Sequence, residues 1–146
     1  MSFSIEGWME IARGETAAPH SWEAVIRLAP LIDVAGSVAE RLFGLSKRVV
    51  SGELAIAPLA ANRGVPGNVS EQVRRDLDAI SEHERQYGKR EFGGFTWARW
   101  SEVRRALSNE AIASSECDVA FALVQRIAER RQITDEQIRL IVWFNW

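Results

Sequence analysis

The stretch "IRLIVWFNW", residues 138–146, decides the fold of this 146-residue chain, and seven of its nine residues are apolar. The even-numbered positions of the stretch are all apolar: Ile138, Leu140, Val142, Phe144 and Trp146. They alternate with the odd-numbered positions Arg139, Ile141, Trp143 and Asn145. β-branched and aromatic residues dominate both sets, which favours a strand over a helix capped by Thr134. The stretch therefore predicts a strand buried on both faces, lying centrally in a sheet or covered on both sides.

The first 28 residues predict two more strands joined as a hairpin. Apolar residues recur at every second position over residues 3–11, and again over residues 22–28. The intervening segment "RGETAAPHS" carries Gly14, Pro19 and small polar residues, which are typical of a loop. A further short strand is predicted at Phe95 and Trp97, and one more at residues 53–57.

Between the strands, helical spacing predicts about four helices. The first follows Asp33 as a possible N-cap and ends near Gly44, and the second begins with a capping box formed by Asn68 and Glu71. A third runs from about Arg99. A fourth follows Ser115, with Asp118 as its capping partner. The inward faces are predicted to be Val73, Leu77 and Ile80 in the second helix, Trp100, Val103 and Leu107 in the third, and Ala120, Leu123, Val124, Ile127 and Ala128 in the fourth.

These elements in mixed order predict an α+β fold, in which helices pack on a largely antiparallel sheet with the C-terminal strand central. The length fits a single domain over residues 1–146. The turn-forming segments "RGVPGN" and "EFGGF" are interpreted as loops, because neither continues into a phosphate-binding pattern.

Composition excludes several classes of function. Eighteen Lys and Arg against 20 Asp and Glu give a net charge of −2, which disfavours general nucleic-acid binding. The N-terminal residues lack the apolar core of a signal peptide, and no run approaches the roughly 20 apolar residues of a membrane span. With one cysteine, Cys117, no intramolecular disulfide forms. A cytoplasmic protein without membrane contact is expected.

The chemistry-bearing residues do not form a recognisable catalytic or metal set. His20 and His83 are far apart and lack neighbouring ligands at metal-binding spacing, so we expect no metal and no cofactor. Glu116 and Asp118 flank Cys117 and oppose a thiolate, which favours a structural cysteine. We therefore assign no catalytic residue, although carboxylates from separated segments remain free to meet in the fold.

Four segments, taken in order, resemble a group of small uncharacterised proteins from phages and bacteria. They are "GWMEI" at 7–11, "RGVPGNVS" at 63–70, "FTWARWSEV" at 95–103 and "IRLIVWF" at 138–144. The corresponding patterns of the group are G-W-V-E, R-G-L-P-x-D-V-S, H-S-x-S-W-L-T-x-x-E-L and V-R-[IV]-V-F-W-F-D. The resemblance spans most of the chain and implies a related fold and a phage or bacterial setting, but no activity.

The chain departs from those patterns at three places. The group's His-Ser before the Trp is absent, since the stretch here reads Gly93-Gly94-Phe95-Thr96-Trp97. Arg99 stands for the Thr that would cap the following helix, and Asn145 replaces the closing Asp. If that His and Asp carry an activity in the group, this chain is expected to lack it.

The leading hypothesis is a small inhibitory protein that binds another protein, of the toxin-immunity or phage counter-defence type. Six tryptophans are unusual for this length, and Trp and Arg concentrate binding energy at interfaces. The partner, a toxin or a defence component, is predicted to contact Trp8, Trp22, Trp97, Trp100 and Arg99. The alternative is a small hydrolase or nucleotide-modifying enzyme that uses Glu102 or Glu91 near Gly93-Gly94, and a third is a phage assembly protein.

Overall fold

The computed structural model describes residues 4–13, 21–29, 41–45, 58–108 and 118–145. In chain order the elements are β1 (Ser4–Arg13), β2 (Ser21–Arg27), α1 (Glu71–Tyr87), β3 (Phe92–Arg99), α2 (Trp100–Leu107), α3 (Asp118–Arg131), a 3-10 turn (Asp135–Gln137) and β4 (Ile138–Asn145). The prediction of an α+β fold with an antiparallel sheet is confirmed.

The four strands form one antiparallel sheet in the order β2-β1-β4-β3. The C-terminal strand is therefore central, as its apolar residues on both parities predict. All its residues from Ile138 to Phe144 are buried. β1 approaches β4 closely at Gly7, where an added Cβ would lie 2.0 Å from the carbonyl oxygen of Ile141. With a φ of +143°, this position also requires glycine for its backbone conformation.

The main hydrophobic core covers one face of the sheet. It joins Met9, Leu140 and Val142 from the strands to Trp100 of α2 and Val124 of α3. The opposite face is covered in part by α1, whose Val73 packs with Ile141 and Trp143. Leu77 and Ile80 pack against the same cluster, so the predicted inward stripe of this helix is confirmed.

Two of the predicted helix details are wrong. The N-cap of α1 is Ser70, whose hydroxyl accepts from the Val73 N–H, whereas Asn68 binds a buried arginine instead. In α3, Phe121 is buried and Leu123 is 41% exposed, because the helix is rotated so that the Phe121 ring packs at a tilt against Trp100. Val124 and Ala128 face the core as predicted.

The prediction of a turn before Phe95 is also wrong, because Phe92, Gly93 and Gly94 already belong to β3. Gly94 has a φ of +64° at an irregularity in the pairing with β4, between Gly93 and Thr96. The glycines therefore form a bulge within the strand, where the left-handed conformation costs glycine little.

The hairpin is confirmed in its pairing, since Ala12 of β1 lies opposite Trp22 of β2. The loop that joins these strands lies outside the described residues. Most of the helix predicted after Asp33 and the strand predicted at 53–57 also lie outside the described residues, although residues 41–43 are helical. His20, Ser115 and Cys117 also lie outside the described residues.

Candidate functional site

Three of the predicted contact residues, Trp8, Trp22 and Trp97, lie on the sheet face that carries α1. Trp8 and Trp97 are both opposite Ile141 of β4, so Trp8, Ile141 and Trp97 form a row across β1, β4 and β3. Trp22 is opposite Ala12, which has the same parity in β1 as Trp8. All three tryptophans are partly exposed. Trp8, Trp22, Trp97 and the arginines that contact them are called the tryptophan face below.

Trp8 is fixed by polar contacts to α1. Its indole N–H donates to Asp76 Oδ2 at 2.7 Å, and Gln72 donates to the other oxygen of that carboxylate at 3.2 Å. The guanidinium of Arg27 lies over the ring, 4.7 Å from its centroid, and 3.8 Å from Asp76. The indole is therefore oriented on its edge by a carboxylate and on its face by a cation.

Trp97 is contacted in the same way by an arginine from the segment before α1. The Arg63 guanidinium carbon lies 5.6 Å from the ring centroid, and its two terminal nitrogens each donate to Glu102 at 2.9 Å. These side-chain hydrogen bonds hold the pKa of Glu102 below its ordinary value, partly opposed by burial and reinforced by the Arg99 N–H. Glu102 is consequently an ionised partner that keeps Arg63 in place.

Trp22 lies over a buried charge. The guanidinium of Arg139 is 3.9 Å from its ring centroid and donates to Glu10 at 2.7 Å. Arg139 is 4% exposed and Glu10 0%, and burial lowers the pKa of Arg139 while Glu10 opposes that effect. The same guanidinium donates to the side chain and carbonyl of Asn68, at 2.9 and 3.2 Å, and Glu10 accepts from the Ser70 N–H at 2.6 Å.

A pocket of about 480 Å³ opens beside this buried cluster, between β2 and the first turn of α1. Its walls include Arg13 and Glu23, which form an exposed ion pair, together with Trp22 on one side and Asn68 and Glu71 on the other. Its size is in the range of small-ligand or side-chain pockets. Its lining mixes one large aromatic ring with polar groups.

The two remaining predicted contact residues lie elsewhere. Trp100 is 1% exposed in the main core, where its N–H donates to Gln125, so it presents no surface to a partner in this structure. Its place in the predicted contact set is therefore corrected, because its ring fills the space between α2 and α3. Arg99 is exposed and donates to Glu136 at 3.0 Å, at the edge of the sheet beyond Trp97.

The two candidate carboxylates of the enzyme hypothesis each have another partner in the fold. Glu102 is held by Arg63, as described above, whereas the Glu91 carboxylate lies 2.8 Å from the ring nitrogen of His83. A second pocket of about 460 Å³ adjoins Gly93 and Gly94, but its charged lining residues are Glu84 and Arg90. Within the described ranges, no cluster of His, Cys, Asp and Glu is arranged to hold a metal ion.

Sequence reasoning missed the polar residues that fix the tryptophans. Glu10 and Arg139 are charged residues in strands with predicted buried faces. Because a buried charge needs a partner of opposite charge, their position in the sequence could have predicted the pair. Asn68 was interpreted as a helix cap, whereas no role was predicted for Asp76 or Arg63. Their roles depend on contacts between residues far apart in the sequence. Trp8 and Asp76 are 68 positions apart, and Arg63 and Glu102 are 39 positions apart.

Comparisons of the chain with protein-family models, with curated proteins and with solved structures give no match. No helix in the described part of the chain combines the length and apolarity that crossing a bilayer requires.

Proposed function

We propose that this protein acts by binding another protein stoichiometrically, and that the tryptophan face is its contact surface. The observation that carries the proposal is the presence of three partly exposed indoles on one sheet face, each in contact with a guanidinium. Trp and Arg are enriched among the residues that contribute most to protein–protein affinity. Scattered exposed aromatics would need no explanation, but three oriented indoles on one sheet face favour recognition.

The orientation of these side chains supports binding for an energetic reason. A side chain that is held in place before association loses less conformational entropy when the partner arrives. Trp8 is fixed by Asp76, and Arg63 is fixed by Glu102 in a two-nitrogen contact. The contact surface is therefore largely formed before the partner binds.

The same contacts favour a binding role over the enzyme hypothesis. A general acid at neutral pH needs a carboxyl whose pKa is raised. The pKa of Glu102 is instead lowered, first by the side-chain hydrogen bonds from Arg63. Both of its oxygens are occupied by arginine and by the Arg99 N–H. Such a carboxylate suits the anchoring of a positive side chain.

The partner class proposed from the sequence is retained as part of this proposal. A small protein of near-neutral net charge that blocks a toxin or a host defence component would act by association alone, without chemistry of its own. In such inhibitors the affinity comes from a few buried anchors, which is the property proposed here for Trp8, Trp22 and Trp97.

The test uses the purified chain as bait in a lysate of its native host, with captured proteins identified by mass spectrometry. Trp8→Ala and Trp97→Ala are each expected to weaken the complex by about 30-fold, which corresponds to roughly 2 kcal/mol for an interface anchor. Circular dichroism establishes that each variant is folded.

Leu123→Ala is the matched control, because Leu123 is 41% exposed on α3, which packs on the opposite face of the sheet. Its affinity should equal that of the unsubstituted chain. A complex that survives both tryptophan substitutions unchanged would place the contact elsewhere. Homo-oligomers in light scattering, with no captured partner, would favour the assembly hypothesis.

A further inference from the structure

The buried Glu10–Arg139 pair lies where β1, β4, β2 and the turn before α1 meet. Arg139 contacts Glu10 of β1, Asn68 of that turn and the ring of Trp22 in β2. Glu10 also contacts this turn directly, because its carboxylate accepts a hydrogen bond from the Ser70 N–H. We propose that this pair is a positioning device, which fixes Trp22 relative to the first turn of α1 and is not a net source of stability.

The energetics of buried charge support this distinction. Removing two charges from water is costly, and their attraction roughly offsets the cost only when the geometry is good and the remaining donors are satisfied. Apolar residues of similar volume often serve equally well for stability. What an apolar pair cannot do is donate in several directions, as Arg139 does to Glu10 and to both acceptors of Asn68.

The geometry also shows what is positioned. Trp22 forms one wall of the 480 Å³ pocket, and Asn68 and Ser70 belong to the other. Arg139 contacts Trp22 on one wall and Asn68 on the other, and Glu10 accepts from Ser70 of the second wall. The pair therefore constrains the distance between the two walls. This part of the inference rests on the proposed function, since it assigns the pair to the contact surface only because Trp22 belongs to that surface.

The test replaces the pair by apolar residues, Glu10→Leu with Arg139→Met, and does not require the partner. The mobility of each indole is followed by fluorotryptophan NMR with a soluble quencher, and the Trp22 resonance is assigned with Trp22→Phe. Exchange of the Ser70 amide is followed by hydrogen–deuterium exchange. The control is Glu82→Gln with Arg85→Gln, which removes an exposed ion pair of α1 at 59% and 73% exposure.

The expected result is a thermal midpoint close to that of the unsubstituted chain, with Ser70 amide exchange accelerated by about tenfold or more as the local contact is lost. The Trp22 resonance, already partly accessible to quencher, should become clearly more accessible, while those of the buried Trp100 and Trp143 stay protected. Unchanged exchange and unchanged Trp22 accessibility would overturn the proposal. So would a large fall in the midpoint with all tryptophans exposed together, because the pair would then be an ordinary part of the core.

Arg139→Lys provides a second variant if the apolar pair does not fold. Lysine keeps the charge opposite Glu10 but lacks the planar fork that reaches several acceptors. A positioning role predicts a stable protein with a loosened Trp22, whereas a lysine variant identical to the unsubstituted chain in both readouts would contradict it. If no partner is ever captured, the proposed function fails, but these measurements still decide whether the pair fixes Trp22.

Discussion

Replacement of Arg139 alone by methionine is expected to destabilise the protein strongly. The substitution leaves the Glu10 carboxylate at 0% exposure, where the Ser70 N–H still donates to it but no positive charge lies opposite it. It also removes two hydrogen bonds to Asn68, at 2.9 and 3.2 Å. Loss of one member of a buried ion pair typically costs about 3–5 kcal/mol, because the other charge stays in a medium that solvates it poorly.

That free energy corresponds to a fall in the thermal midpoint of roughly 6–20 °C, at about 2–4 °C per kcal/mol for a chain of this size. Urea unfolding monitored by circular dichroism measures the free energy directly. Arg85→Met is the matched control, since Arg85 pairs with Glu82 at the exposed surface, where solvent screens the pair and its loss should change the stability little.

Addition of Glu10→Leu to Arg139→Met should restore most of the lost stability, because no unpaired charge then remains buried. A cost below about 1 kcal/mol for Arg139→Met would refute the reasoning, since it would mean that water reaches the carboxylate. A double variant as unstable as the single one would refute it too, because the loss would then come from packing.

Three other substitutions test separate parts of the structure. Gly7→Ala should cost more than about 4 kcal/mol, or abolish soluble expression, because its Cβ would lie 2.0 Å from a carbonyl oxygen of β4, whereas Gly67→Ala has open space and should be tolerated. Side-chain hydrogen bonds from Arg63 lower the pKa of Glu102, so this carboxylate stabilises the fold above its unfolded pKa of about 4.3 and the contribution disappears as the pH falls through the lowered value. The stability difference between the unsubstituted chain and Glu102→Gln should therefore be constant near neutral pH and shrink in acid, and a difference that grows in acid would contradict the assignment. Ser70→Ala removes the α1 cap and should cost about 1 kcal/mol in urea unfolding, whereas no loss would show that the hydroxyl contact is dispensable.

The sequence by itself determined the central strand and the fold class. Ile138, Leu140, Val142 and Phe144 alternate with Ile141 and Trp143, and a strand that is apolar on both parities is stable only when both of its faces are covered. The stripe of α1 and the start of α2 after Arg99 followed from spacing in the same way. These features depend on residues close together in the chain, which is why local patterns predict them.

Only the tertiary structure decided which tryptophans are exposed and what fixes them. Trp97 and Trp100 are three positions apart, yet the first lies partly exposed on the sheet and the second is 1% exposed between two helices. Arg139 meets Glu10 across 129 positions of sequence. No local pattern specifies that meeting, because it requires the strand register that brings β1 and β4 together, and that register follows from burial of the whole sheet.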